Sequence, residues 1–192
     1  MRAMPDNKKK RKGRRAYLDD FQTTVSGEYI YCGAHYTFRG TAGQKKCFLQ
    51  RLAALSAAAM VFSVLSGCVP APGTLDCFYV LLPMLGSILS AVSILWAAVR
   101  LISGGEQIRE YVYKATVEQF PVRTALCIGC AGLSLLGELL FLILNGTEGR
   151  GAGLAIFLFS QALVLASALL CRKTVDSVNW ERGEGGQMKD TD

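Results

Sequence analysis

Four stretches of the chain are almost entirely apolar. Residues 52–68, 77–99 and 151–171 contain no Asp, Glu, Lys or Arg, and residues 124–145 contain only Glu138 among these types. As a helix, each stretch is about 25–35 Å long, which matches the hydrocarbon thickness of about 30 Å in a bilayer. The pattern therefore predicts four transmembrane helices and excludes a soluble core fold.

The basic residues predict how these stretches are oriented. Lys and Arg number 12 in residues 1–51, 4 in residues 100–123 and 4 after residue 171, whereas the two remaining connections together contain only Arg150. Cytoplasmic connections of membrane proteins retain an excess of Lys and Arg. We therefore expect both termini and the 100–123 connection to be cytoplasmic, with two short turns outside.

These patterns predict an all-α membrane protein, a bundle of four transmembrane helices with both termini cytoplasmic and a small cytoplasmic cap. The predicted helices are at 48–68, 77–100, 123–145 and 151–171. The segments outside them are a disordered polybasic tail at 1–15, a cap segment at 16–47, an amphipathic cytoplasmic loop at 103–121 and a flexible C-terminal tail at 172–192.

Local patterns predict the secondary structure of the cap. Two aromatic-rich alternating runs around Gly33, within residues 28–38, are typical of a β-hairpin that needs a packing partner. Residues 16–25 favour a short helix. In the 103–121 loop, apolar side chains have the spacing of an amphipathic helix at Ile108, Tyr111, Val112 and Ala115.

Seven of the eight residues from 8 to 15 are basic: Lys8, Lys9, Lys10, Arg11, Lys12, Arg14 and Arg15. A basic residue beside a membrane is attracted to anionic lipid by about 1 kcal/mol. Two interpretations remain open, a solvated tail that sets the topology and a segment that contacts lipid headgroups. Nucleic acid is not expected as a partner, because no aromatic-interleaved binding element accompanies the run.

Glu138 is the candidate for an intramembrane polar site, together with Gln161 and Ser134. A carboxylate inside a bilayer costs roughly 2.5–3.5 kcal/mol, so Glu138 is expected to face the bundle interior. Gln161 has a similar depth on the antiparallel fourth helix, which predicts a hydrogen bond between it and a protonated Glu138. A structural clamp and a proton- or cation-coupled site are both open.

Several short segments resemble those of uncharacterised small multi-pass membrane proteins of anaerobic Gram-positive bacteria. The resemblance rests on YLDDFQ at 17–22, GEYIY at 27–31, GCVPAPG at 67–73 and CFYV at 77–80. It implies a location in the bacterial plasma membrane. It brings no known activity and no functional residues.

Four of the seven cysteines form two pairs along the chain. Cys68 and Cys77 flank the first external turn and are a candidate disulfide, although an anaerobe need not oxidise them. Cys127 and Cys130 form a CxxC motif in the cytoplasmic half of the third helix. Quinone-linked disulfide-forming proteins and vitamin K epoxide reductase-like proteins also combine a CxxC with a second cysteine pair, but there both pairs act on one side. We therefore rank a membrane thiol-disulfide oxidoreductase third among the possible functions.

The function favoured by the sequence is a non-enzymatic integral membrane protein that binds a partner or organises a complex. The partner is an unknown protein or a second copy of the chain, next to the lipid bilayer itself, and no cofactor or metal is expected. The alternative is a small transporter or channel subunit that uses Glu138. The candidate contact surface is aromatic, and packing of the cap on itself is its alternative: Tyr29, Tyr31, Tyr36, Phe38, Tyr111 and Tyr113.

Overall fold

The computed structural model describes residues 21–23, 29–31, 33–105, 107–146 and 151–183. Within these ranges the chain is mostly helical. The long helices are α1 (Ala42–Cys68), α3 (Phe78–Ile102), α5 (Phe120–Asn145) and α6 (Gly151–Asp176), and the short ones are α2 (Pro72–Asp76) and α4 (Glu110–Thr116). The strands are β1 (Phe21–Thr23), β2 (Tyr29–Tyr31), β3 (His35–Phe38), β4 (Gln107–Arg109) and β5 (Trp180–Gly183).

The four long helices coincide with the four apolar stretches. Within the described residues, these four helices are long and apolar enough to cross a membrane. Large apolar side chains are exposed on their outer surface, for example Phe78, Leu89 and Ile143. Such a surface is typical of helices that meet lipid, since soluble proteins rarely expose large contiguous apolar patches.

Helix α1 begins earlier than its apolar pattern predicts. Thr41 and Gln44 form a capping box, in which the Gln44 backbone N–H donates to Thr41 Oγ1 at 3.3 Å and the Thr41 N–H donates to Gln44 Oε1 at 3.0 Å. These bonds satisfy two groups that a helix start leaves without partners. The first turn and a half of α1 is therefore polar and precedes the apolar part.

The long helices are arranged so that α1 and α5 each pack against both α3 and α6. The larger apolar cluster lies at one end of this bundle and includes Leu52, Ile94, Phe120 and Val164. A smaller cluster around Phe157 lies at the opposite end, where α2 connects α1 to α3. We call these the cap end and the turn end of the bundle.

A three-stranded sheet lies at the cap end. Strand β3 is central and pairs antiparallel with β4 and β5, with His35 opposite Arg109 and Phe38 opposite Trp180. The fold is therefore not all-α, since the N-terminal segment, the α3–α5 connection and the segment after α6 each contribute a strand. The flexible tail predicted from residue 172 is wrong up to residue 183, because α6 continues to Asp176 and β5 follows it.

The strands of the cap do not pair as the predicted hairpin requires. Strand β2 pairs with β1, with Phe21 opposite Tyr31, whereas β3 pairs with β4 and β5. The predicted hairpin around Gly33 is therefore wrong. Of the helix predicted at 16–25, the described residues Phe21–Thr23 form strand β1 instead, and the rest lies outside the described residues. Alternation of apolar and polar residues specifies a strand but not its partner. The helix in the 103–121 loop is also shorter than predicted, because Ile108 is buried in strand β4.

Candidate functional site

Glu138 is fully buried on the inner face of α5 and contacts the turn end of the bundle. Its Oε1 accepts a hydrogen bond of 3.1 Å from the backbone N–H of Gly73. Gly73 follows Pro72, the first residue of α2. The first N–H groups of a helix have no partner inside that helix, so the Glu138 carboxyl satisfies one of them from a different element. Glu138 thereby connects helix α5 to the turn between α1 and α3.

Gly73 leaves no space for a side chain at this contact. A Cβ atom on Gly73 would lie 2.5 Å from Glu138 Oε2 and 3.2 Å from Val80 Cγ2. The carboxyl therefore approaches the α2 backbone because residue 73 is glycine. The sequence contains a signal for this site, a proline at the start of a short helix followed by glycine, which places a free N–H beside an unobstructed backbone.

The predicted hydrogen bond between Glu138 and Gln161 is not formed. Gln161 Nε2 instead donates to Ser66 Oγ at 2.8 Å, and Ser66 Oγ donates to the Ser63 carbonyl oxygen at 2.8 Å. Helix α6 packs against both α1 and α5, and Gln161 bonds to the α1 side. Glu138 and Gln161 were predicted to lie at a similar depth, but each forms its hydrogen bond with a different helix. Ser134, the third predicted member of the site, is buried one helical turn from Glu138.

Several buried oxygens around these residues have no hydrogen-bond partner in the described part of the chain. Each lies within about one helical turn of Glu138, Gln161 or Ser66. They are Ser63 Oγ, Ser134 Oγ, Glu138 Oε2, Ser160 Oγ and Gln161 Oε1. Because buried polar groups are normally bonded, such a set of oxygens is polar enough to hold ordered water.

The candidate disulfide between Cys68 and Cys77 is not formed, and both residues are free thiols. The segment between them does not reverse in a tight turn, since it contains helix α2. Helix α2 occupies most of the segment between the two cysteines.

Among the described residues, no second cysteine pair lies beside the CxxC motif. Cys127 is buried and Cys130 is partly buried, one turn apart near the start of α5 at the cap end. A Cβ atom on Gly86 would lie 2.8 Å from Cys130 Sγ, so this thiol packs against α3. Cys68 and Cys77 lie at the other end of the bundle. The searched residues also contain no group of three His, Cys, Asp or Glu that could hold a metal ion.

Half of the predicted aromatic contact surface packs within the cap, namely Tyr36, Phe38 and Tyr113. Tyr36 and Tyr113 stack with ring centroids 3.9 Å apart and an interplanar angle of 2°. Trp180 lies edge-on to Phe38 at 5.8 Å and to Tyr113 at 6.1 Å. Packing of the cap on itself therefore describes Tyr36, Phe38 and Tyr113. Tyr29 and Tyr31 lie in strand β2, where the backbone is described.

Two arginines and a tryptophan meet where the bundle joins the cap, an arrangement the sequence analysis did not find. The guanidinium carbons of Arg100 and Arg123 lie 5.0 and 5.3 Å from the ring centroid of Trp96. Arg100 also lies 5.7 Å from the Tyr111 ring. The sequence signal for this cluster is the i, i+4 spacing of Trp96 and Arg100, which makes them neighbours on helix α3. The basic residues predicted to contact lipid, from Lys8 to Arg15, lie outside the described residues.

In comparisons with known proteins, no family model, no curated protein and no solved structure matches this chain. Its function is therefore inferred from its own residues and their geometry.

Proposed function

We propose that the chain is a non-enzymatic multi-pass protein of the bacterial plasma membrane, with both termini cytoplasmic, that organises a complex through its cap. The partner is another protein or a second copy of the chain. The observation that carries this proposal is the sheet order β4-β3-β5, in which β4 and β5 are edge strands among the residues described. An edge strand offers backbone groups with which a strand of a partner can pair.

The contacts inside the cap support its role as a fixed recognition surface. The stacked rings of Tyr36 and Tyr113 attach the central strand to α4. Arg39 Nε lies 3.1 Å from Glu181 Oε1, which connects the end of the central strand to β5. Both edge strands carry exposed polar side chains, such as Gln107 and Arg182, on a sheet that already packs on the bundle. A preformed surface loses little conformational entropy when a partner binds.

Photo-crosslinking in native membranes tests this proposal. A photoreactive amino acid is placed at Gln107 on β4, or at Arg182 on β5, in the full-length protein. The control is Leu75 on α2, which is 61% exposed at the turn end. We expect one discrete adduct from each cap position and none of that mass from Leu75. The proposal fails if the cap positions give no adduct in a folded protein, or if Leu75 gives the same one.

A second candidate function, a small transporter or channel subunit, is supported by the unpaired buried oxygens near Glu138. A coupling carboxyl needs neighbouring polar groups through which a proton or cation passes, and Ser134 Oγ and Glu138 Oε2 are both unpaired. Glu138→Gln in reconstituted vesicles, with a proton-gradient readout, tests this function. Gradient-dependent flux in the wild type that is lost in a stably folded variant supports it. The absence of flux in both proteins excludes it.

A further inference from the structure

Among the described residues, Arg100 contacts two aromatic rings and forms no polar contact. Its guanidinium lies near the rings of Trp96 and Tyr111, and within the described part of the chain no hydrogen bond or ion pair involves it. The guanidinium of an arginine has five N–H donors in a rigid fork. The two rings limit how the side chain moves while these donors stay available, which prepares Arg100 to bind an acceptor.

Arg123 adds a second positive charge beside the same indole ring. Its Nη1 donates to the carbonyl oxygen and the hydroxyl of Ser93 at 2.9 and 2.7 Å, and its Nη2 donates to the Ala115 carbonyl oxygen at 3.1 Å. These bonds fix Arg123, but all of their acceptors are neutral. Across the residues the structure describes, neither arginine pairs with a carboxylate. The local charge is therefore positive and attracts an anion.

A cavity of about 400 Å³ adjoins Arg100 at the edge of the cap. Its lining includes Ser103, Gln107, Arg109 and Tyr111, so it combines polar groups with a second arginine. Below it, the outer face of α3 is apolar and exposed at Leu89, Val92, Trp96 and Val99. A polar, basic pocket that continues into an apolar surface matches the two parts of a phospholipid.

We propose that Arg100 and this cavity bind the phosphate of an anionic phospholipid in the leaflet next to the cap, with the acyl chains along the exposed face of α3. The guanidinium fork donates two parallel hydrogen bonds to phosphate oxygens, a pairing that gives both strength and orientation. Trp96 lies near the cap end of α3, and indole rings are enriched at the ends of membrane-spanning helices. This proposal rests on the proposed membrane location and does not depend on a protein partner.

The test measures lipid retained by the full-length protein after delipidation in mild detergent, by native mass spectrometry. Phosphatidylglycerol is titrated into wild type, Arg100→Gln and Arg100→Lys, with phosphatidylcholine and inorganic phosphate as separate arms. The matched control is Arg172→Gln, since Arg172 is a half-exposed arginine paired with Asp176 at 3.8 Å near the end of α6.

We expect wild type to retain one molecule of phosphatidylglycerol. Arg100→Gln should bind this lipid at least about fivefold more weakly, which is the affinity ratio for one basic residue near a lipid surface. Arg172→Gln should bind like wild type, and Arg100→Lys should be intermediate because it keeps the charge without the fork. If Arg100→Gln fails to fold, the comparison of Arg100→Lys with wild type decides. Equal retention in wild type and the Arg100 variants, or equal retention of phosphatidylcholine, overturns the proposal.

Inorganic phosphate distinguishes a lipid site from a site for a free anion. If it displaces phosphatidylglycerol at equal concentration, the lipid proposal is wrong. Crosslinking from Arg182 in the Arg100→Gln protein separates this proposal from the proposed function, because Arg182 does not line the cavity beside Arg100. An unchanged partner adduct with unchanged lipid retention overturns the lipid site and leaves complex formation standing. Weaker lipid retention in Arg100→Gln, in a protein whose wild type gives no adduct from the cap positions, supports the lipid site and overturns complex formation.

Discussion

The carboxyl of Glu138 accepts a hydrogen bond from the backbone N–H of Gly73, 65 positions earlier in the sequence, at 3.1 Å. This bond fixes the position of α2, and with it the turn between α1 and α3, relative to α5. An acidic residue that is costly in an apolar helix therefore has a structural partner at the turn end. The bond gives Oε1 of the buried carboxyl a partner, whereas Oε2 has none among the described residues.

Gly73→Ala is predicted to destabilise the protein by about 1–3 kcal/mol, because the new Cβ would overlap Glu138 Oε2 and crowd Val80. Thermal unfolding in detergent measures the effect. Gly43→Ala is the matched control, since nothing lies within 4 Å of its Cβ position. Alanine is favoured over glycine in a helix by roughly 0.5–1 kcal/mol, so the control should be neutral or more stable. Equal stability of the two variants would contradict the packing argument.

Substitutions of Glu138 should separate a structural clamp from a charged site. Glu138→Gln keeps a carbonyl oxygen that can accept from Gly73, so its unfolding free energy is expected to fall little. Glu138→Leu leaves the Gly73 N–H buried and unpaired, at a cost of about 1–3 kcal/mol. Unfolding in detergent at several pH values provides the measurement. A glutamine variant as unstable as the leucine variant would mean that the carboxyl is needed for more than this bond.

The hydrogen bond between Gln161 and Ser66 is tested by a double-mutant cycle. Gln161→Leu and Ser66→Ala each remove one partner, and the two changes should be coupled by about 0.5–1.5 kcal/mol. The parallel cycle of Gln161→Leu with Glu138→Gln serves as the control. Its two side chains do not bond to each other, so their effects should add. Coupling of similar size in both cycles would restore the bond between Glu138 and Gln161.

The apolar stretches predicted the helices, because hydrophobicity over a span of this length is a property of the local sequence. They also predicted that Glu138, Gln161 and Ser134 face the interior of the bundle, because it is costly to expose a polar side chain to lipid. Which group each one bonds to depended on the arrangement of the helices. Gln161 bonds to α1 and Glu138 to α2, and neither element is specified by the depth of these residues in the bundle.

The cap was the least predictable part of the fold. Its sheet joins residues as distant as Phe38 and Trp180, and no local pattern specifies such a pairing. The alternating aromatic residues did predict the extended conformation of β2 and β3. The capping box of Thr41 and Gln44 indicates a helix that starts at residue 42, but the predicted start was taken from the apolar pattern, which begins later.

Trp180 is predicted to hold the cap together. It lies edge-on to Phe38 and Tyr113 and begins strand β5. Trp180→Ala should remove these contacts and cost roughly 2 kcal/mol locally, less than the 3–5 kcal/mol typical of a fully buried aromatic residue. Faster amide hydrogen exchange in β3 and β5, with unchanged exchange in α1 and α6, is the expected result. Trp180→Phe retains most of the contact and should exchange like wild type.

The orientation of the bundle is predicted from two exposed cysteines at opposite ends. Cys47 lies at the cap end of α1 and Cys68 at its turn end. In intact cells, a membrane-impermeant maleimide should label a variant whose only cysteine is Cys68 and should leave one with only Cys47 unlabelled. Permeabilised cells should label both, which is the control for accessibility. Labelling of Cys47 alone in intact cells would invert the topology and move the cap outside.

The same reagent tests the predicted state of the turn. In a protein that keeps Cys68 and Cys77 and lacks the other cysteines, both thiols are free in the structure, so labelling should not require a reductant. Helix α2 lies between these two residues in the sequence, and we expect a disulfide there to rearrange the turn. That rearrangement would also disturb the bond between Gly73 and Glu138. Labelling that appears only after reduction would show an oxidised turn, and Glu138→Leu should then destabilise the protein less.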